Sequence, residues 1–394
     1  MTSNKSADGA PKAARAEPGT AGGVDPALGQ VVLVLQGGGA LGAYQVGVYQ
    51  ALHENGIEPD WVIGTSIGAI NAALIVGNKP ADRMAKLEEF WSGVQHAPGF
   101  DFADALPFGG SMLPNWSVMT QGISSFFRPN PLAFLGQQVP LAAEAAGYYS
   151  TQPLQKTLER LVDFDLVNSG GTRLTVGAAN VRTSEMRYFD SRDSQMSARH
   201  VMASGALPPA FPPVRIDGDL YWDGGILSNT PVEAVFDDMP RRNSLVFAVH
   251  IWNPEGSEPE SMWQVMNRQK DVQYSSRAVS HIKRQRQLHK LRHIIAELAK
   301  RLPEAARKDG AVREMASYGC LTRMHVVRLL AESLPGEDHT KDIDFSSKGI
   351  RTRREAGYAD TLRALRQAPW KAEVEATEGF VLHELRHEAA LVQV

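Results

Sequence analysis

The chain has 394 residues, 43% of them hydrophobic, a formal net charge of −3 and one cysteine, Cys320. That length can bury a large core in one or two domains, the balanced charge gives no electrostatic footprint for a nucleic-acid partner, and a single thiol excludes an intrachain disulfide framework and fits a reducing, cytoplasmic compartment. No Cys/His cluster has metal-ligand spacing, so no metal or organic cofactor is expected, and no apolar run reaches the roughly 18 residues of a membrane span.

Residues 1–29, rich in Ala, Gly, Pro, Lys and Ser, have no apolar h-region and read as a disordered tail, not a secretory signal. Residues 31–35 read as a buried strand that opens onto Gly37-Gly38-Gly39-Ala40-Leu41-Gly42 and a helix over about 42–54. A glycine turn at a helix start aims several backbone N–H groups into one small volume, where they can hold a developing negative charge. Gly37-x-Gly39-x-x-Gly42 also satisfies the dinucleotide fingerprint, which further asks for an acid at the end of the second strand. Here Glu58 and Asp60 come before that strand, at 61–63, and its far end delivers Ser66 instead. Nucleotide-dependent oxidoreduction is therefore only the third reading.

Gly64-Thr65-Ser66-Ile67-Gly68 has the form G-x-S-x-G, in which a serine sits on a sharp strand-to-helix turn. Gly64 and Gly68 remove the Cβ atoms that would clash there. The small residues that follow let the helix pack closely behind the strand. A serine in this place also serves as a plain helix cap; the flanking glycines and the anion-binding turn favour a nucleophile.

A further helix is expected over 83–95. Residues 98–150 then break the strand–helix alternation with six prolines and exposed-looking Phe100, Met112, Trp116, Phe126, Phe127 and Phe134. Such a connection suits an acyl-chain wall, a membrane-touching flap or a core-packing excursion. Strands at 172–181 and 185–190, helices at 195–204 and 231–238 and a strand at 245–251 complete an α/β pattern. It implies a mainly parallel sheet with helices on both faces and a site at the carboxyl ends of the strands. His250 ends the last of these strands and reads as a satisfied structural histidine, the alternative being the third member of a Ser…Asp…His triad. His200, which precedes Asp223 in a helix, is a weaker candidate.

Between 261 and 308, 12 Lys/Arg stand against 3 Asp/Glu, and Ile282, Leu288, Leu291, Ile294, Ile295, Leu298 and Leu302 recur at near-helical spacing. A basic amphipathic helix of this kind fits packing of its apolar stripe on the domain, the reading favoured here, or peripheral contact with an anionic membrane at its inner face. A strand at 324–330 and helices at 351–366 and 370–388 follow. The chain thus divides into a tail (1–29), a catalytic region (30–255) and a mostly helical extension (256–394).

Two further motifs lie in the catalytic region: Ala203-Ser204-Gly205-Ala206-Leu207-Pro208 and Asp223-Gly224-Gly225. Taken in order, glycine turn, G-x-S-x-G, A-S-x-x-x-P and D-G-G resemble the patatin-like phospholipase family over roughly residues 30–255. The region beyond is similar to an extension found in one bacterial branch of that family. The resemblance implies a three-layer α/β fold and a Ser–Asp dyad, with Ser66 as nucleophile, Asp223 as its base, and the N–H groups of Gly38 and Gly39 holding the oxyanion. A lone carboxylate can serve as base when burial raises its pKa towards the working pH. Many family members carry Arg or Lys in the glycine turn where this chain has Leu41. The expected function is cofactor-free hydrolysis of a lipid or acyl ester; the alternative is a non-catalytic lipid-binding regulator on the same fold.

Overall fold

The computed structural model of the chain describes residues 24–95, 122–136, 138, 140–334, 337–375 and 378–385, and no side chain over 276–279. The expected tail up to residue 23 and the 96–121 part of the proline-rich stretch lie outside these residues.

The fold grows from apolar runs that are buried on both sides. β1 (Gln30–Leu35) pairs in parallel with β2 (Trp61–Gly64) and with β9 (Ser244–His250). Because side chains alternate across a strand, Val31, Leu33 and Leu35 enter one apolar cluster while Val32 and Val34 enter a second on the opposite face. Two such clusters on one sheet make three layers, and a strand covered on both faces has to read as a continuous apolar run.

Nine strands form that sheet. β5 (Arg173–Asn180) follows β2 in parallel; β6 (Met186–Asp190) and β8 (Asp219–Asp223) pair antiparallel with β5, and β7 (Val214–Ile216) with β8. On the far side, β10 (Met324–Leu330) and β11 (Phe380–Glu384) extend β9 in parallel. The sheet therefore runs unbroken across residue 255. A separate ribbon pairs β3 (Arg128–Pro129) with β4 (Tyr149–Ser150).

α1 (Ala43–Glu54), α2 (Ile67–Val76) and α3 (Pro80–Gly93) follow the first two strands. Every residue of α2 is buried, which explains its apolar character all round. α1 lies along the C-terminal helix Ser347–Gln367, joined by Tyr44 Oη to Asp360 at 2.7 Å and Tyr358 Oη to Glu54 at 2.6 Å.

Three expectations are corrected. The ordered fold begins before residue 30: Asp25 caps a 3-10 turn at Pro26–Leu28, and Val24 and Leu28 pack on the core. The described residues of 370–388 do not form an α-helix. Ala368, at φ 40°, ends the preceding helix, and β11 forms at 380–384 because β10 offers it a parallel edge; tertiary pairing overrides local helix propensity.

The third correction concerns the basic helix, which is Met262–Arg301 and starts at a capping box between Ser261 and Gln264. Ile282 is buried, but Leu288, Leu291, Ile294, Leu298 and Leu302 are exposed, Leu291 at 56% and Leu298 at 60%. The inward face carries Asp271, Ser275, Gln285, His289 and His293, with Lys341 bonded to Asp271 at 2.7 Å and His289 to the Thr322 carbonyl at 2.8 Å. Among the described residues no helix is long and apolar enough to cross a membrane.

Candidate active site

β2 ends at Gly64 and α2 begins at Ile67, so the chain must reverse within two residues. Ser66 takes φ 57° and ψ −125° to do so, a conformation that costs a non-glycine residue about 1–3 kcal/mol. A Cβ on Gly64 would lie 2.3 Å from the Gly68 carbonyl oxygen, and one on Gly68 would lie 2.3 Å from that of Leu35. Both flanking positions therefore exclude any side chain. The Ser66 N–H donates to the Ser204 hydroxyl at 3.0 Å and to the Ser204 carbonyl at 3.2 Å, which fixes the strained turn from below.

Asp223 closes β8 opposite Ala178 of β5 and is 2% exposed. Its carboxylate accepts from the Gly225 N–H at 2.7 Å, in the turn that Gly224 and Gly225 form. Burial pushes its pKa up to about 7, against the opposing pull of hydrogen bonds from the Ser66 side chain and the Gly225 amide. A carboxyl kept half-protonated near neutrality is suited to take and return protons.

The glycine turn is pinned on both sides. The Gly37 carbonyl accepts from Trp252 Nε1 at 2.7 Å and from Asn229 Nδ2 at 3.0 Å, and the Gly37 N–H donates to the Asn229 carbonyl at 3.2 Å. Gln36 is buried, with Oε1 accepting from the Ile251 and Trp252 amides at 2.5 and 3.1 Å. The Ala40 N–H donates to the Asp342 carbonyl at 2.8 Å. Among the described residues the amides of Gly38 and Gly39 have no protein acceptor, and Gly42 leads into α1. Leu41 is buried at 5% beside a small pocket lined also by Tyr44, Lys341 and Arg353.

Gly37, Gly38, Gly39, Ser66, Asp223 and Gly225 open into one cavity of about 290 Å³. Most of its other walls are apolar: Ile67 and Ile70 of α2, then Leu207, Phe126, Phe127, Tyr149 and Phe211. The aromatic rings hold one another edge-on, Phe127 to Tyr149 at 5.0 Å and Phe126 to Phe211 at 6.0 Å. The described end of the proline-rich stretch is thus a cavity wall, while Leu132, Phe134 and Leu135 beyond it are exposed.

Sequence reasoning missed Asn229, Trp252, Tyr274, Asp342, Ile343 and Phe345, all of which line this cavity. Asn229 follows the closing glycines by only four residues; the last four are brought in from beyond residue 255 by tertiary packing alone. The two histidines stay outside. His250 is 1% exposed, and burial, then Arg328, pushes its pKa down to about 3. His200 is held by Ser197 at 3.0 Å and packs edge-on against Phe189 at 4.9 Å. Among the described residues no three His, Cys, Asp or Glu side chains are grouped so as to hold a metal.

A strained serine elbow, a buried carboxylate and a glycine turn with free amides thus face one apolar cavity. The family model for patatin-like phospholipases matches residues 33–236, more than half of the sequence, and a second model described as patatin phospholipase matches 272–377. The chain belongs to the patatin-like phospholipase family. It is 27% identical over 251 residues to the lysophospholipase nte1 of Aspergillus terreus and 26% identical over 238 residues to the lysophospholipase NTE1 of Yarrowia lipolytica. Those matches cover 60% and 59% of this chain but span only 13% of each relative's length. Among solved structures, VipD from Legionella pneumophila aligns over 86% of this chain and 67% of its own, with 18% identity and a TM-score of 0.35.

Proposed function

We propose that the protein hydrolyses carboxylic esters of lipids through an acyl-enzyme on Ser66, with Asp223 as base. The observation that carries this reading is the opening of Ser66, the neutral-range carboxyl of Asp223 and the uncommitted Gly38 and Gly39 amides into one apolar cavity. The name lysophospholipase on its relatives supports a lipid ester as substrate.

In the proposed sequence, ionised Asp223 takes the hydroxyl proton as Ser66 Oγ attacks the ester carbonyl. The Gly38 and Gly39 N–H groups donate to the oxyanion as it forms. Collapse of the tetrahedral intermediate breaks the ester C–O bond, and Asp223 returns its proton to the departing alcohol. Asp223 then deprotonates a water, which attacks the acyl-enzyme; collapse breaks the bond to Ser66 Oγ, releases the fatty acid, and Asp223 gives that proton to Oγ, restoring both side chains. The apolar walls hold the acyl chain, each buried methylene contributing about 0.8 kcal/mol. On this reading residues 30–255 carry the chemistry and 256–394 complete the cavity.

We propose in addition that the enzyme meets its lipid as a peripheral protein on an anionic membrane. The outward face of Met262–Arg301 supports this, with exposed Leu288, Leu291 and Leu298 beside exposed Lys283, Arg284 and Arg301. Apolar insertion plus attraction of basic side chains to anionic headgroups is the physics of interfacial helices.

A fluorophosphonate probe tests the central reading. Labelling of the wild type and its loss in Ser66→Ala, together with hydrolysis of a soluble short-chain ester, are expected. A folded wild type that is neither labelled nor active would leave the lipid-binding regulator in its place.

A further inference from the structure

Residues 337–346 cross the glycine turn and are held from both sides by charge. The helix Met262–Arg301 presents Lys270 and Asp271; the crossing segment presents Lys341 and Asp342. They pair crosswise, Lys270 Nζ to Asp342 Oδ1 at 2.6 Å and Lys341 Nζ to Asp271 Oδ1 at 2.7 Å. Lys270 also donates to the His339 carbonyl at 2.7 Å. From the other side, Arg353 of the helix Ser347–Gln367 reaches Glu337 at 3.1 Å and Asp344 at 3.2 Å.

Between these clamps the segment touches the reacting centre. The Asp342 carbonyl takes the Ala40 N–H at 2.8 Å, and a Cβ on Gly39, at φ 55°, would sit 2.2 Å from that same oxygen. Ile343 and Phe345 line the cavity, Phe345 stacked on Trp91 and edge-on to Phe126, each at 6.4 Å. Lys341 and Asp271 are 4% and 5% exposed. Burying an ion pair contributes little net stability compared with apolar side chains of the same size, so its use here points to geometry.

We propose that residues 337–346 are a strap, clamped by the crossed Lys270–Asp342 and Lys341–Asp271 pairs, that positions the glycine turn for oxyanion binding and selects acyl-chain length through Ile343 and Phe345. The proposal rests on the Ser66 acyl-enzyme reading. By engaging the Ala40 amide, the strap fixes the Gly39–Ala40 peptide plane at the turn and leaves the Gly38 and Gly39 amides free at the cavity. Lys270 and Asp342 are thus positioning residues: they act on the oxyanion only through the turn. Phe345 faces the chain itself.

The test uses the full chain with p-nitrophenyl esters. Lys270→Met is expected to lower kcat for the butanoyl ester by about 10- to 100-fold with KM changed less than about threefold, since an ångström-scale misplacement of an oxyanion donor acts on the transition state. Lys270→Arg should restore most of the loss. Asp342→Asn, which keeps the backbone carbonyl but not the charge, should reproduce it. Hydrogen exchange at the Ala40 amide should quicken by about tenfold or more in both damaged variants. Phe345→Ala should move the ratio of kcat/KM for dodecanoyl over butanoyl ester upward by about tenfold. Wild-type kcat and wild-type Ala40 exchange in Lys270→Met, or an unaltered chain-length ratio in Phe345→Ala, would overturn the proposal. A wild type that no fluorophosphonate labels fails the Ser66 reading itself, whereas a labelled wild type with an indifferent Lys270→Met fails the strap alone.

Discussion

The Ser204 hydroxyl accepts the Ser66 N–H at 3.0 Å and donates onward to the Gly177 carbonyl at 2.6 Å. One buried hydroxyl thereby ties the serine elbow to β5, the strand that also borders Asp223. The Ala203-Ser204 pair, whose place in the chain shows no obvious chemistry, is in the fold a fastener beneath the proposed nucleophile.

Ser66 holds a backbone conformation that only glycine adopts freely, so strain and the proposed nucleophile reside in one residue. Ser66→Gly and Ser66→Ala should both abolish ester hydrolysis and fluorophosphonate labelling. Ser66→Gly should also stabilise the protein by up to about 1–3 kcal/mol as strain is released, while Ser66→Ala stays within about 1 kcal/mol of wild type. Chemical denaturation of the three proteins compares them directly.

Burial makes Asp223 a raised-pKa acid, and the sign of its linkage follows. Between the unfolded value near 4 and the folded value of about 7 the native state holds the extra proton. Its contribution is therefore present below pH 4 and lost as pH rises through 7. Asp223→Asn should abolish turnover yet be more stable than wild type at pH 8, by an amount on the order of a few kcal/mol, with the gap closing towards pH 4. Wild-type kcat/KM should rise with unit slope up to about pH 7 and level off. Thermal melts across pH and a pH–rate profile check both.

His250 separates a dyad from a triad. With its ring buried and its pKa near 3, it stays neutral at working pH and away from the cavity. His250→Ala should leave kcat within about threefold, against a loss on the order of 10³-fold or more for a base in a triad. Because its folded pKa is depressed, His250 also makes the protein less stable as pH falls from about 6.5 towards 3. The variant should lose that part of the acid sensitivity.

The outward stripe of Met262–Arg301 makes a separate prediction. Binding to vesicles rich in phosphatidylserine should exceed binding to phosphatidylcholine vesicles and should fall as salt rises, since exposed charges are screened beyond about 8–10 Å near physiological ionic strength. Replacing Lys283, Arg284 and Arg301 together by Gln should weaken it while sparing hydrolysis of a soluble ester. Co-sedimentation indifferent to salt and to the triple substitution would make the stripe unrelated to membranes.

What could be read from the chain and what could not divides along a physical line. β1, β2 and β9 announce themselves because burial on both faces forces a continuous apolar run, and the elbow announces itself because only glycine fits at positions 64 and 68. The direction of the Met262–Arg301 stripe was not legible: periodicity locates an apolar face but does not say which face a neighbour covers. Here Asp271, His289 and His293 turn inward because Lys341 and the Thr322 carbonyl await two of them. The cavity residues Tyr274, Asp342, Ile343 and Phe345 carry no local signature at all, since their role exists only once the C-terminal helices pack on α1 and on the glycine turn.

The placement of β10 has a consequence for how this protein is made. Every residue of β9 is buried, with β1 on one side and β10 on the other. Yet β9 ends at His250 and β10 begins at Met324. At a ribosomal pace of about 5–20 residues per second, roughly 4 to 15 seconds separate the emergence of the two strands. During that interval the nascent sheet carries Ser244–His250 as an open edge, a row of unpaired backbone groups flanked by Leu, Val and Phe that invites pairing with any other extended chain. The C-terminal region is thus the built-in cover for an edge that would otherwise invite pairing.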